Sequence, residues 1–168
     1  MDNIILIGMP GTGKSTIGVL LAKYMGYKFI DSDLIIQEKA GKRLFEIMRD
    51  FGNEYFLQLE NRVNSELCVS HTVIATGGSA VFGEDAMNHF KEIGTIVYIR
   101  TSLSELEKRI TNFETRGILK AEGQTLADIF AERTPLYERW ADITVDTTTE
   151  SVFENYQKIE EALKERRV

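Results

Sequence analysis

The segment GMPGTGKS, residues 8–15, constrains the fold more than any other part of the chain. It follows the apolar run NIILI at 3–7 and precedes apolar residues with helical spacing, namely Ile17, Leu20, Leu21 and Tyr24. A strand that enters a helix through the pattern G-x-x-x-x-G-K-[ST] is typical of a phosphate-binding P-loop. The segment therefore predicts an α/β fold whose first strand-to-helix junction binds the phosphates of a nucleotide.

The residue types in this segment suit a nucleoside triphosphate. Its glycines let backbone N–H groups converge on phosphate oxygens without interference from a Cβ atom. Lys14 can reach the β- and γ-phosphates, and Ser15 can ligate Mg²⁺. A glycine-rich turn that merely precedes a helix is the alternative, and the complete motif in this context argues against it. The predicted nucleotide-binding residues are Gly11, Thr12, Gly13, Lys14, Ser15 and Thr16.

Four further runs rich in β-branched residues, at 27–30, 72–75, 95–99 and 143–146, alternate with helical stripes. Most of them are continuously apolar, which is typical of parallel strands covered on both faces. We see no linker and no repeat, so we predict a single α/β domain over 1–168. Only the stretch at about 111–124 lacks a clean period, and we expect a mobile loop there.

Composition excludes several classes of function. The net charge is −6 and there is no basic run, which argues against nucleic-acid and membrane-surface binding. No apolar run approaches the roughly 20 residues of a membrane span, and the first residues do not resemble a signal peptide, so we expect a cytoplasmic protein. Cys68 is the sole cysteine, and we expect it to be buried in a helical stripe.

Two aspartates, Asp31 and Asp33, follow the second predicted strand directly. In a parallel sheet, ligands collect at the carboxyl ends of strands, which is also where the P-loop leaves the first strand. One carboxylate can hold Mg²⁺ through its water shell, and the other can accept a hydrogen bond from a hydroxyl group and help to remove its proton. The alternative is that Asp31 or Ser32 merely caps the helix that starts near Leu34.

The segment TGGS at 76–79 leaves the third predicted strand at the same edge. Three arginines add candidate cations: Arg109, Arg116 and Arg133. Arg116 lies in the irregular stretch, where a closing loop would bring its charge to a transferring phosphoryl group. For any one of these arginines, a solvated surface charge is the alternative.

At this point the chain resembles the shikimate kinases, and the resemblance runs almost from end to end. Its segments are GMPGTGKST, DSD, TGGSAV, RGIL and RTPLYERWADITVDT. The resemblance implies a P-loop NTPase fold, with a five-stranded parallel sheet in the order 2-3-1-4-5, helices on both faces and a mobile lid. It also implies ATP and Mg²⁺, and transfer of the γ-phosphate to the 3-hydroxyl of shikimate.

The resemblance also implies a role for individual residues. Lys14 and Ser15 match the P-loop lysine and the metal-binding serine, and Asp31 matches an aspartate near Mg²⁺. Asp33 matches the aspartate that holds ring hydroxyls and acts as base. The remaining matches are Gly77 and Gly78 at the substrate, Arg109 against adenine, Arg116 in the lid, and Arg133 at the substrate carboxylate.

The chain departs from the family pattern at three positions. Leu57 stands where the pattern Phe-Arg-x-x-Glu has an arginine for the shikimate carboxylate, which leaves Glu60 without the usual partner. Ser79 replaces a third glycine and is compatible with the pattern only if its φ is not positive. Gly117 replaces a proline, which should loosen the lid.

Three alternatives to shikimate phosphorylation stay open at the level of sequence. The acceptor can be another polyol such as gluconate, whose kinases share the fold. A nucleotide-binding module without phosphoryl transfer is a second alternative, although it has no evident need of Asp33. A nucleoside monophosphate kinase fits the stretch after the second strand less well. We expect a monomer that acts on a small hydroxyl substrate.

Overall fold

The computed structural model describes residues 3–111, 117–148 and 151–166. Its centre is a sheet of five parallel strands in the order β2-β3-β1-β4-β5, which confirms the predicted topology. The strands are β1 (Asn3–Ile7), β2 (Lys28–Asp31), β3 (Thr72–Ala75), β4 (Gly94–Arg100) and β5 (Ile143–Asp146). The helices are α1 (Lys14–Met25), α2 (Ser32–Ala40), α3 (Leu44–Phe51), α4 (Asn53–Ser65), α5 (Glu84–Ile93), α6 (Leu103–Arg109), α7 (Leu126–Trp140) and α8 (Val152–Arg166).

Strand β1 is buried along its whole length because helices cover both faces of the sheet. Ile5 and Ile7 pack in a core cluster that includes residues of α5 and α7. Ile4 and Leu6 point to the opposite face and pack with residues of α1 and α8. Successive side chains of a strand alternate between the two faces, so a central strand with two covered faces is apolar at every position. This explains the continuous apolar run at 3–7.

A third core cluster joins α2, α3 and α4. It contains Ile36 of α2, Ile47 of α3, and Phe56, Leu59 and Val63 of α4, all of them buried. The sequence analysis did not separate α3 from α4, whose boundary lies at Gly52 with a φ of +87°. That value lies in a region that residues other than glycine rarely adopt, so the glycine permits the chain to turn between the two helices. The three helices form one wall of the cleft described below.

The prediction for Cys68 is wrong. Helix α4 ends at Ser65, so the residue lies beyond the helix, in the connection to β3, where it is exposed. Trp140, by contrast, lies at the end of α7 with only 7% of its surface exposed and belongs to the core. None of the helices in the described ranges is both long and apolar enough to cross a membrane.

Candidate active site

A cleft opens at the carboxyl ends of β1, β2 and β3, which are neighbours in the sheet. The P-loop leaves β1 there, α2 follows β2, and the TGGS segment follows β3. Most of the predicted site residues line this cleft together: Gly11, Gly13, Lys14, Ser15, Thr16, Asp33, Gly77, Gly78 and Arg133. The described residues therefore bring segments that are far apart in sequence to a single site.

The P-loop holds its own lysine. The Lys14 ammonium group donates hydrogen bonds to the carbonyl oxygens of Gly8 and Met9, both at 2.8 Å, and to the Thr12 hydroxyl at 3.4 Å. Gly8 has a φ of +147°, and a Cβ atom there would lie 2.6 Å from the carbonyl oxygen of Ile99. The loop thus leaves β1 in close contact with the β4 backbone, and only glycine fits that approach.

Asp31 has two partners, one for each carboxylate oxygen. Its Oδ2 accepts a hydrogen bond of 2.6 Å from the Ser15 hydroxyl, and its Oδ1 accepts one of 3.0 Å from the backbone N–H of Asp33. The second bond caps α2, so the capping alternative is correct for Asp31. The first bond places a hydroxyl and a carboxylate side by side at the P-loop, and oxygen atoms of this kind are the ligands that Mg²⁺ prefers.

Asp33 projects into the cleft from the first turn of α2. Burial and the neighbouring Asp31 carboxylate raise the pKa of Asp33 to about 6, while the Lys14 ammonium group opposes the shift. A carboxylate with a pKa closer to neutrality is a better proton acceptor than an ordinary aspartate. Its position and its pKa suit a group that takes a proton from a hydroxyl.

The glycines after β3 permit very close contacts. A Cβ atom on Gly77 would lie 2.7 Å from Asp33 Oδ1 and 2.8 Å from Glu60 Oε1, and one on Gly78 would lie 2.7 Å from Pro10 Cδ. The hydroxyl of Tyr137 donates a 2.6 Å hydrogen bond to the Gly78 carbonyl and fixes this loop from behind. The loop therefore lies between the P-loop and the carboxyl groups, with no space for side chains at these two positions.

Ser79 is accommodated because its φ is −92°, so the third position does not require glycine. Its hydroxyl donates a hydrogen bond of 2.7 Å to Glu60 Oε2. Glu60 thus has a serine hydroxyl as its hydrogen-bond partner, while its Oε1 has no partner among the described residues. Burial raises the pKa of Glu60 to about 8; the Ser79 hydrogen bond opposes this shift, the Asp33 charge adds to it, and the Arg133 charge opposes it.

Arg133 supplies a buried cation to the lining of the cleft. It projects from α7, is 2% exposed, and donates a short hydrogen bond to the carbonyl oxygen of Leu119. Its guanidinium carbon lies 5.4 Å from the centre of the Phe82 ring. Its Nε atom is buried and has no hydrogen-bond partner in the described part of the chain. A guanidinium group with an unused donor suits the recognition of a carboxylate.

The other predicted residues are placed differently. Arg109 lies against the P-loop and donates a 3.0 Å hydrogen bond to the carbonyl oxygen of Gly11. Arg116 lies outside the described residues. Gly117 has a φ of +68° and packs near Phe45. A proline cannot adopt that φ, so the backbone at this point depends on the glycine. Leu57 is half-buried on α4 and is not among the described residues that line the cleft.

Sequence reasoning missed part of the cleft wall. Leu44, Phe56 and Leu119 line the cleft with apolar surface, and Tyr137 supports it from behind. A signal for Phe56 was present, because it precedes Glu60 by four residues and so shares its face of α4. The contact between Ser79 and Glu60 had no comparable signal, since the two residues belong to different elements.

The fold and the cleft define the class of protein. A parallel sheet in this order, with a P-loop after its central strand and an acidic pair after β2, is that of a P-loop kinase. The family model for shikimate kinase matches residues 10–164. The chain belongs to the shikimate kinase family.

Individual relatives agree with this assignment. The chain is 34% identical to the shikimate kinase of Persephonella marina, over 95% of this chain and 97% of that one. It is 38% identical to the shikimate kinase of Thiobacillus denitrificans, over 90% and 84% of the two chains. Among solved structures, the shikimate kinase of Acinetobacter baumannii in complex with shikimate superposes with a TM-score of 0.92, at 32% identity, over 100% of this chain and 96% of that one.

Proposed function

We propose that this protein transfers the γ-phosphate of ATP to the 3-hydroxyl of shikimate. One observation carries the proposal: a phosphate-binding loop, a carboxylate for a hydroxyl group and a buried guanidinium group line the same cleft. Shikimate has both groups that such a cleft recognises, a ring of hydroxyls and a carboxylate. The similarity to a solved shikimate kinase that holds shikimate supports the choice of acceptor.

At the phosphate end, backbone N–H groups of residues 11–16 and the N-terminus of α1 bind the phosphates. Lys14 exchanges hydrogen bonds with the carbonyl oxygens of Gly8 and Met9 for bonds to the β- and γ-phosphates. We assign Arg109, which contacts the loop, to the adenine side of the nucleotide. We assign Arg116 to the transferring phosphoryl group, which the lid at about 111–124 would cover.

The residues present fit a magnesium ion. The Ser15 hydroxyl and the Asp31 carboxylate are 2.6 Å apart beside the P-loop, and both are hard oxygen donors. We propose that Ser15 ligates Mg²⁺ directly and that Asp31 holds it through water. When bound, the ion neutralises negative charge on the β- and γ-phosphates.

At the acceptor end, Asp33 accepts a hydrogen bond from the 3-hydroxyl and takes its proton as the new bond to phosphorus forms. The γ-phosphoryl group passes from the β-phosphate oxygen to the hydroxyl oxygen, and ADP leaves with the electron pair of the broken bond. The N–H groups of Gly77 and Gly78 orient the ring, and Arg133 binds the carboxylate. These roles together hold the hydroxyl in line with the phosphoryl group.

A second acceptor has one observation in its favour. Leu57 provides no cation where the family pattern has an arginine, so the carboxylate depends on Arg133. This favours an acceptor that relies more on its hydroxyls, such as another polyol.

To distinguish shikimate from the alternative acceptors, ADP release is measured with shikimate, quinate, gluconate and nucleoside monophosphates. We expect the highest kcat/KM with shikimate. A higher value with gluconate or quinate would replace the acceptor and keep the kinase assignment. If no acceptor increased ADP release above the rate with ATP alone, the protein would be a nucleotide-binding module.

We also propose that the protein works as a monomer in the cytoplasm, without nucleic-acid or membrane partners. The net charge of −6 supports the absence of nucleic-acid and membrane partners, since nucleic acids and most membrane surfaces repel an acidic protein. Analytical ultracentrifugation with and without ATP tests the oligomeric state. A dimer mass that persisted on dilution would contradict it.

A further inference from the structure

Two carboxyl groups lie next to one another at the acceptor end of the cleft, Asp33 in its lining and Glu60 buried behind it. Asp33 Oδ1 and Glu60 Oε1 lie 2.7 Å and 2.8 Å from the same point, the position of a Cβ atom on Gly77. Two carboxylates that share a site do not both ionise readily, because their like charges repel. The ionisation state of Glu60 therefore affects everything that binds near Gly77.

Glu60 is enclosed by few polar groups. It is 2% exposed, Ser79 is its hydrogen-bond partner, and its Oε1 has no partner among the described residues. The charged or titratable groups that face it are Asp33 from α2, and Arg133 and Tyr137 from α7. On its own helix, position 57 holds a leucine in place of a cation.

The charges at the acceptor end decide whether an anion can bind there. If Asp33 and Glu60 were both ionised, two negative charges would face the single positive charge of Arg133, and a carboxylate ligand would be repelled. If Glu60 carries a proton, the charges of Asp33 and Arg133 balance, and Arg133 can attract a carboxylate. Lys14 does not change this balance, because the phosphates of ATP occupy its charge.

We propose that Ser79 and Glu60 form a positioning pair that controls how strongly Arg133 holds the carboxylate of the acceptor. Glu60 does not line the cleft and does not contact the acceptor; it acts through its charge on Arg133. Ser79 fixes the orientation of the carboxyl group and determines how readily it loses its proton. The inference rests on the proposed function, because it requires an acceptor that carries a carboxylate.

The ionisation of Glu60 agrees with this geometry. Burial raises its pKa to about 8, so the group is mostly protonated at neutral pH and ionises in mildly alkaline solution. The Ser79 hydroxyl donates to the carboxylate and opposes the rise. A variant without this hydroxyl should keep its proton to a higher pH.

The first test compares the parent with Glu60→Gln, whose amide has the shape of a protonated carboxyl group and no titration. The Kd of shikimate is measured by calorimetry with the nucleotide site saturated by ADP and Mg²⁺, and its KM by ADP release at saturating ATP, between pH of about 6.5 and about 9.5. In the parent, the Kd and the KM of shikimate should both rise about tenfold as the pH rises through the range in which Glu60 loses its proton, and kcat should change little. In Glu60→Gln, both should stay flat. The exposed Glu54, on the first turn of α4, provides the control Glu54→Gln, which should follow the parent.

The second test uses Ser79→Ala, with Ser65→Ala as the control from an exposed hydroxyl. Loss of the Ser79 hydroxyl should move the midpoint of the pH dependence upward, whereas a merely structural defect would weaken binding equally at every pH. An unchanged midpoint in Ser79→Ala, or a Glu60→Gln profile that matches the parent, would overturn the proposal.

The readouts also separate this inference from the proposed function. If shikimate binds with the expected pH dependence but is not phosphorylated, the proposed function is wrong and the positioning pair stands. If shikimate is phosphorylated with a flat KM in the parent, the pair is wrong and the function stands. If shikimate neither binds nor reacts, both are wrong.

Discussion

The two ends of the cleft are built in different ways. The phosphate end comes from consecutive residues, 8–16, whose backbone provides most of the binding groups. The acceptor end is assembled from α2, α4, the loop after β3 and α7, and side chains provide its charges. A ligand bound by backbone groups tolerates most changes in nearby side chains, and at the phosphate end the exception is Lys14, the only charged residue of 8–16. Binding by charged side chains, in contrast, changes with a single substitution. We therefore expect this chain to differ from its relatives at the acceptor end more than at the phosphate end.

The departures from the family pattern fit this contrast. Ser79 lines the cleft and donates a hydrogen bond to one carboxylate oxygen of Glu60, whereas Leu57 lies on α4 outside the described cleft lining. No departure falls within the P-loop segment. At the acceptor end, Gly77 leaves no space for a Cβ atom beside Asp33 and Glu60.

The largest effect is expected at the phosphate end. Lys14→Ala removes the cation at the β- and γ-phosphates and should lower kcat by about 10²-fold or more. Steady-state kinetics with shikimate and saturating ATP provide the measurement. Lys23→Ala, at an exposed position of the same helix, is the control and should behave like the parent. A parental kcat in Lys14→Ala would contradict the assigned role.

Asp33→Asn tests the chemical step at the acceptor end. The amide keeps the shape of the side chain but cannot take a proton at neutral pH, so kcat should fall by about 10²-fold. The affinity for ATP, measured by calorimetry, should stay close to that of the parent. A loss of ATP affinity as large as the loss of kcat would place Asp33 at the phosphate end instead.

Asp31→Asn tests the role of the other aspartate and is compared with Asp33→Asn. Asparagine caps helices as well as aspartate does, so α2 should remain stable, but the charge beside Ser15 is lost. The concentration of Mg²⁺ that gives half the maximal rate should rise several-fold, an effect we do not expect for Asp33→Asn. If the two variants responded to Mg²⁺ identically, the division of roles between the aspartates would be wrong.

An effect on acceptor binding is expected from Leu57→Arg, which restores the cation of the family pattern. A second guanidinium group should lower the KM for shikimate by about tenfold, since a shielded charge-assisted pair contributes roughly 1.5–3 kcal/mol. It should also hold Glu60 in its ionised form, so the pH dependence of KM proposed above should disappear. Leu57→Gln is the neutral control. An unchanged KM in Leu57→Arg would show that position 57 does not reach the acceptor.

The stability of the ligand-free protein reports on Glu60 independently of any acceptor. Its pKa is about 8 in the folded protein against 4.5 for an ordinary glutamate, so its contribution to stability is complete below pH 4.5 and is lost as the pH rises through 8. Glu60→Gln does not titrate and escapes this loss. The free energy of unfolding in urea is measured for the variant and the parent at pH about 4.5 and at pH about 8. The difference, variant minus parent, should be more positive at pH about 8 by more than about 1 kcal/mol. A difference independent of pH would show that Glu60 is ionised in the folded protein.

The smallest effect is expected behind the acceptor loop. Tyr137→Phe removes the hydrogen bond to the Gly78 carbonyl and should lower the free energy of unfolding by about 1 kcal/mol. The KM for shikimate should rise a few-fold while the KM for ATP stays constant, because Gly78 belongs to the acceptor end. Tyr55→Phe, at a residue that is 43% exposed, should change neither quantity. Equal changes in both KM values would mean that the loop supports the whole cleft.

The sheet was predictable because its signals are local. Each predicted strand lies within one residue of an observed one, as for 27–30 against Lys28–Asp31 and 95–99 against Gly94–Arg100. Burial on both faces makes these runs apolar throughout, and that pattern survives in the sequence without knowledge of the neighbours. The prediction that Cys68 is buried in a helix was wrong because the apolar helical pattern was extended too far. Helix α4 ends at Ser65, and Cys68 lies exposed beyond it.

The site was predictable where a motif is contiguous. The P-loop and the acidic pair after β2 were found because fixed spacing ties their residues to a strand end. The bond between Ser79 and Glu60 could not be found, since it depends on how α4 packs against the loop after β3. For Asp31, the sequence raised capping and a role at the P-loop as alternatives; it could not show that they are compatible, because they use different oxygen atoms of one side chain.

The position of β1 in the sheet has a consequence for synthesis on the ribosome. Ile4 pairs with Val73 on one side and with Thr95 on the other, so the first strand waits for partners that emerge much later. The P-loop is among the first segments translated. Until β4 emerges, Gly8 cannot make its close contact with the β4 backbone. Long-range strand pairing is slow and exposes apolar surface in the meantime. A nascent chain stalled before β4 should therefore bind no nucleotide and should depend on chaperones until the strand arrives.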